Sequence, residues 1–140
     1  MQWFIVETAN KPGEFARHAS AIAQRGINLS NAVAVASGGS GGVALYAEDE
    51  AGLRSAMNEG GVAFREVPVV LAKLADKPGT LADAAKRLGD AGVNIELIAP
   101  VGMDAGGVSV AFGVDKLDVA ESALGDLFTT TAIPVGTTTG

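Results

Sequence analysis

Two short segments carry residues suited to receiving a small anion-bearing ligand: Asn10-Lys11-Pro12-Gly13-Glu14-Phe15 and Asp76-Lys77-Pro78-Gly79-Thr80-Leu81. In each, a side chain with a hydrogen-bonding oxygen stands two residues before a proline, the residue that suits the first turn of a helix. A glycine follows, which removes a side chain and lets a ligand come close to the backbone. The first amides of a helix have no intrahelical acceptor, and the helix dipole is positive there, so a carboxylate is favoured. The same pattern also reads as a plain helix start, with Asn or Asp as the cap and Pro-Gly for tightness. Asn28 and Asn94 add amides that can both donate and accept, and each can equally stabilise a turn at a helix exit.

Other chemistry lacks its parts. There is no cysteine and one histidine, so disulfides and thiolate metal sites are excluded and a protein-built zinc or nickel site is not expected. His18 lies within the first predicted helix, where a surface or half-buried place is expected rather than a catalytic one. A phosphate-cleaving enzyme of acylphosphatase type would need an arginine in its loop, and segments 9–13 and 75–79 offer only Lys11 and Lys77. No nucleophile–base pair is evident either, so no catalytic residues, metal or cofactor are expected.

The charge of −6 argues against sequence-independent nucleic-acid binding, which needs a basic face. No apolar run approaches the roughly 20 residues of a spanning helix. The opening Met1-Gln2-Trp3-Phe4-Ile5-Val6 lacks the features of a signal peptide, so a cytoplasmic location with no membrane partner is expected.

The elements that must position these residues come twice. Laying 10–29 on 76–95, an offset of 66, gives seven identical pairs, among them Lys11/Lys77, Pro12/Pro78, Gly13/Gly79, Gly26/Gly92 and Asn28/Asn94. Further on, Val43-Leu45-Ala47 aligns with Val108-Val110-Phe112 at an offset of 65. Each copy reads as strand, helix, strand, strand, helix, strand. The first strands are expected at 2–8 and 68–74, the first helix from Pro12 to Arg25, and a second strand with Ile27, Leu29, Val33 and Val35 on one face. Ser37–Gly42 reads as a flexible connection into a strand at 43–48, and Asp49 and Asp115 as caps of second helices. Closing strands are expected near 62–67 and 131–136, with 137–140 a frayed tail.

The predicted fold is therefore α+β: two tandem ferredoxin-like βαββαβ units, 1–66 and 67–140, with antiparallel sheets and helices on one face. The runs Trp3–Val6 and Val69–Ala72 are too continuously apolar for one sheet face, so the face opposite the helices is expected to be covered as well. Trp3, Phe4 and Tyr46 are read as packing residues, not as a base-stacking platform.

Asn-Lys-Pro-Gly-x-Phe-Ala with Gly26-Ile27-Asn28-Leu29, and Asp-Lys-Pro-Gly-Thr-Leu-Ala with Gly92-Val93-Asn94-Ile95, resemble the signature of ACT domains. The resemblance covers nearly the whole chain as two such domains without a catalytic one. It implies regulatory modules that bind amino acids at domain interfaces and pair side by side. It points by position to Asn10 and Asp76 in the loops and to Asn28 and Asn94 on the second strands. Some members carry a histidine two residues before the loop asparagine; Thr8 and Leu74 stand there in this chain. The expected function is a sensor of a free amino acid or similar small zwitterion, as a homodimer that signals to a regulated partner protein. The alternative is a ligand-free interaction module acting through its sheet face.

Overall fold

A computed structural model describes residues 1–130 of the chain. Contacts divide the chain into two compact units, Gln2–Glu66 and the segment from Val67 onward, with Met1 grouped in the second. The chain is α+β, with antiparallel strands and four α-helices among the described residues, consistent with a ferredoxin-like arrangement.

In the first unit β1 (Gln2–Ala9) leads to α1 (Glu14–Ala23), then to the hairpin of β2 (Asn31–Ser37) and β3 (Ser40–Tyr46), and to α2 (Glu50–Glu59). The strand order is β2-β3-β1. Side chains alternate across a strand, so Phe4 and Val6 of β1 share a face with Val43 and Leu45 of β3. Ile22 of α1 and Leu53 and Met57 of α2 close over that face. Asp49 caps α2, its carboxylate accepting the Gly52 N–H at 2.8 Å.

β4 (Arg65–Leu74) begins in the last two residues of the first unit, and the second unit takes the rest of it from Val67, with α3 (Thr80–Asp90), β5 (Ile95–Asp104), β6 (Gly107–Val114) and α4 (Leu117–Leu124), ending in a short 3-10 turn and β7 (Phe128–Thr129). β7 pairs with β4, giving the order β7-β4-β6-β5. Val70, Ala72 and Leu74 with Val110, Phe112 and Val114 make the floor of its core, and Ala84, Leu88, Ala120 and Leu124 the roof.

The strand registers of the two units correspond. Phe4 pairs with Leu45 where Val70 pairs with Phe112, so the third strands match at an offset of 67 rather than the 65 read from sequence. The helices agree: buried Leu53 and Met57 correspond to buried Ala120 and Leu124. The added residue is Val101, which has no partner between the pairs Pro100–Val110 and Gly102–Ser109 and forms a bulge in β5. The same shift corrects the second cap. Lys116, not Asp115, is the N-cap of α4, and Asp115 instead accepts the Asn94 backbone N–H at 2.9 Å.

Three other expectations change. No turn separates a strand at 62–67 from one at 68–74; residues 62–64 are irregular and β4 runs unbroken from Arg65, since Arg65-Glu66-Val67 holds no breaker and Pro68 precedes the ladder with β6. The glycine-rich segment is no loose connection, because Ser37 pairs with Ser40 across a two-residue turn and β3 begins there. Val33 and Val35 lie away from the helices and are 39% and 74% exposed. Their strand starts only at Asn31, so the loop that carries Ile27 and Leu29 to the core breaks the parity between them. The expected strand at 131–136 and tail at 137–140 lie outside the described residues. Away from the helices, Trp3 is buried in the first unit, and Val69, Leu71, Ala99 and Ala111 are buried in the second.

Candidate functional site

A cleft opens beside the entrance to the first helix of each unit. In the first unit it measures 240 Å³ and is lined by Thr8, Ala9, Asn10, Lys11, Glu14, Phe15, residues 34–36 of β2 and residues 41–43 of β3. In the second it measures 310 Å³ and is lined by Leu74, Ala75, Asp76, Lys77, Gly79, Thr80, Leu81, Ile98, Pro100, Val108 and Val110. The linings correspond position by position. Thr8, Ala9, Asn10, Lys11, Glu14, Phe15 and Ala34 match Leu74, Ala75, Asp76, Lys77, Thr80, Leu81 and Pro100 at an offset of 66, and Gly41 and Val43 match Val108 and Val110 at 67. Each cleft thus lies on the helix side of the sheet, beyond the helix N-terminus, with an edge strand as one wall.

The helix entrances are open. Gly13 and Gly79 hold the N-cap positions in left-handed conformation, with φ 85° and 92°, and neither position has a side-chain cap. Glu14 and Thr80 donate backbone N–H groups to the carbonyls of Lys11 and Lys77 at 3.4 and 3.5 Å. The next two amides of each helix, at Phe15 and Ala16 and at Leu81 and Ala82, have no partner among the described residues. These are the donors that an anionic group can take.

Around this shared frame the copies differ. Asn10 is tied to the β2–β3 turn: its side-chain amide donates to the Gly38 carbonyl at 2.9 Å and its backbone N–H to that of Gly39 at 3.0 Å. The Asp76 carboxylate makes no such bond among the described residues and stays exposed. Glu14 places a carboxylate in the first cleft, 3.0 Å from the Arg17 guanidinium and 3.7 Å from the Lys11 ammonium. The Arg17 bond holds that carboxyl below the usual range, so it is ionised near neutrality. Thr80, its counterpart, is uncharged and donates its hydroxyl to the carbonyls of Ala75 at 2.7 Å and Lys77 at 3.1 Å.

Of the residues singled out from sequence, Asn10, Glu14 and Phe15 meet in the first cleft, and Asp76, Gly79, Thr80 and Leu81 in the second. Pro12 and Gly13 shape the entrance without lining it, and Pro78 lines an adjoining hollow of 340 Å³ that shares Leu74, Ala75, Lys77, Gly79 and Thr80 with the second cleft and adds Asp83 and Leu127. Asn28 and Asn94 line neither cleft. They follow the far ends of α1 and α3, and an 11-residue helix such as α3 spans about 16 Å. Both are exposed and precede the second strands rather than opening them. Sequence reading missed the edge-strand wall, Ile98 and Pro100 above all, because only strand register brings those residues beside the helix entrance.

His18, expected at the surface or half-buried, is only 6% exposed, and neither ring nitrogen has a partner among the described residues. Burial, with the nearby Arg17 charge, lowers its pKa, while Glu14 acts in the opposite direction. The unfolded chain therefore takes up the proton more readily. The stability held by neutral His18 is complete above about pH 6.5 and is lost as pH falls through the lowered folded value. One proton changes stability by at most about 1.4 kcal/mol per pH unit. Urea unfolding at pH 7.5 and 5.5 is expected to show a smaller pH effect in His18→Ala, which copies the Ala84 of α3, than in the parent; an unchanged effect would place the acid sensitivity elsewhere.

No group of three or more His, Asp or Glu side chains among the described residues could hold a metal ion, and no helix among them is long and apolar enough to cross a membrane. No family model and no curated protein matches the chain. Solved structures do match. A protein of Bacteroides thetaiotaomicron superposes with a TM-score of 0.71 at 21% identity, over 88% of this chain and 85% of that one. The ligand-free regulatory subunit of aspartate kinase from Thermus thermophilus gives 0.56 at 22% identity, over 88% and 87%. The regulatory subunit from Thermus flavus gives 0.58 at 23%, over 88% and 86%. Over most of its length, then, the chain has the fold of aspartate kinase regulatory subunits.

Proposed function

We propose that the chain is a tandem pair of ACT-like βαββαβ domains, 1–66 and 67–140, that senses a free amino acid and regulates a partner protein. The observation that carries this reading is the pair of matching clefts, each at a helix entrance with unclaimed amide donors. A ligand carboxylate is held by those amides, its ammonium by the oxygen of Asn10 or Asp76, and its side chain by the apolar wall. Asn28 and Asn94, at the far helix ends, contribute in this reading only from a paired copy of the chain.

The likeness to regulatory subunits of aspartate kinase supports a regulatory rather than a catalytic role. Pairing as a homodimer is supported by β2, an edge strand whose residues 32–36 are all exposed and all Ala or Val. Binding that bridges copies couples occupancy to their arrangement, which is how a sensor signals. The competing reading, an interaction module acting through its sheet face, is disfavoured in the second unit, where Val69 and Leu71 of that face are buried, and keeps support in the first, where Val33 and Val35 of that face are exposed. In the cell we place the protein in the cytoplasm, among free amino acids.

The test is thermal unfolding of the full chain against the twenty amino acids, followed by calorimetric titration. A ligand at about 100 times its Kd stabilises by about 2.7 kcal/mol. At least one amino acid is expected to raise the Tm and give saturable heat; silence with all twenty sinks the sensor reading.

A further inference from the structure

We propose that the ligand is an amino acid with a branched aliphatic side chain, and that it occupies the second unit's cleft and not the first. This rests on the sensor reading above and narrows it.

The two clefts share a frame, so their differences are informative. Where the first has Thr8, Ala34 and Gly41, the second has Leu74, Pro100 and Val108. Each exchange enlarges the apolar wall, and Val110, Leu81 and Ile98 complete it. Eight large apolar side chains are exposed among the described residues, and three of them, Phe15, Leu81 and Ile98, line the clefts on the helix side of the sheet. Leu81 and Ile98 are 46% and 43% exposed, apolar area that a guest side chain can cover. Apart from Asp76, Lys77 and Thr80 at the mouth, the second cleft offers no polar side chain to a guest. A charged or amide side chain there would lose its water without a partner.

Size and charge agree. Ligand sites usually enclose about 300–1,000 Å³. The second cleft, at 310 Å³, stands at the small end and suits a single amino acid; the first is smaller, at 240 Å³. The first also carries Glu14, its carboxylate 3.0 Å from Arg17, at the place a ligand carboxylate would approach, and Asn10, its amide N–H given to the Gly38 carbonyl, offers an ammonium only a neutral oxygen. In the second, Thr80 replaces the carboxylate and Asp76 remains available for an ammonium.

The experiment is calorimetric titration of the full chain with leucine, isoleucine, valine, alanine, lysine, aspartate and N-acetylleucine. Each buried methylene strengthens binding about fourfold, so leucine or isoleucine is expected to bind roughly tenfold or more tightly than alanine. One site per chain is expected. Leu81→Asp is expected to abolish the heat; Leu81→Ala, kinder to folding, should weaken it, and circular dichroism melts confirm that both variants fold. N-acetylleucine, without an ammonium for Asp76, is expected to bind at least tenfold more weakly. Preference for lysine or aspartate overturns this inference and leaves the sensor reading intact, whereas no heat with any amino acid overturns both. Two equal sites per chain, undiminished heat in folded Leu81→Asp, or equal affinity for N-acetylleucine would each overturn the assignment.

Discussion

Gly107→Ala is expected to destabilise the second unit by about 3 kcal/mol or more, lowering its Tm by roughly 10 °C or more. Gly107 is buried at the start of β6 with φ 131°, a conformation that side chains rarely adopt. A Cβ there would stand 2.1 Å from the Leu74 carbonyl oxygen and 2.9 Å from its carbon. Neither is the far end of a flexible side chain, so the backbone of β4 must move. Two terms therefore add: conformational strain of about 1–3 kcal/mol and a clash of similar size. Gly79 separates them. Its φ of 92° carries the strain, but nothing lies within 4 Å of its would-be Cβ, so Gly79→Ala is expected to lose only the first term. Chemical unfolding of both variants measures the difference, and equal losses would mean that the Leu74 contact is not tight. Because Leu74 and Ala75 also line the second cleft, Gly107→Ala should disturb the ligand site as well as the fold. At the matching place the first unit has Ser40, which has no positive φ, so this tight approach belongs to the second copy alone.

The likeness of the two strand–turn–helix segments is legible in the sequence because they keep the same residues at the same spacing, and local rules fix their structure. Pro12-Gly13 and Pro78-Gly79 start helices on chemistry confined to a few residues, and Asp49 caps α2 within one turn. What failed depended on register. One unpaired residue, Val101, carries the offset from 66 to 67, and nothing in Pro100-Val101-Gly102 distinguishes a bulge from regular strand. Offsets of 65 and 67 both preserve side-chain parity and the apolar pattern, so the sequence alone does not separate them. Val33 and Val35 were misplaced for a related reason: alternation shows which residues share a face, but the loop before Asn31 decides which face meets the core.

The candidate site was half legible for the same physical reason. Its loop half, from Asn10 to Phe15 and from Asp76 to Leu81, is contiguous in sequence. Its wall, from Ile98, Pro100, Val108 and Val110, comes from strands brought alongside by pairing. The asparagines that strengthened the functional reading, Asn28 and Asn94, repeat faithfully yet stand at the opposite helix ends. Recurrence at matched positions does not separate the two roles, since a turn residue recurs as readily as a ligand contact.

Phe4→Ala is expected to destabilise the first unit by about 3–5 kcal/mol, a large part of the 5–15 kcal/mol that domains usually hold. Phe4 is fully buried among Val6, Ile22, Leu45, Leu53 and Met57, so its removal leaves a cavity that only helix movement could fill. Its ring also meets Phe64 edge-on, with centroids 5.4 Å apart, and lies 5.6 Å below the Arg54 guanidinium. The edge contact adds about 0.5–1.5 kcal/mol beyond area, and the cation about 0.5–1 kcal/mol. Arg54 keeps its partner Glu66 in the variant, but that pair is partly exposed and adds little by itself. Phe4→Leu keeps most of the volume and loses only the ring contacts, so about 1–2 kcal/mol is expected. Arg54→Ala in both backgrounds closes a double-mutant cycle, with a coupling near 0.5–1 kcal/mol if the cation rests on the ring. Urea unfolding followed by circular dichroism measures the parent and every variant. A loss below about 1.5 kcal/mol for Phe4→Ala would show that α1 and α2 do not close over this ring.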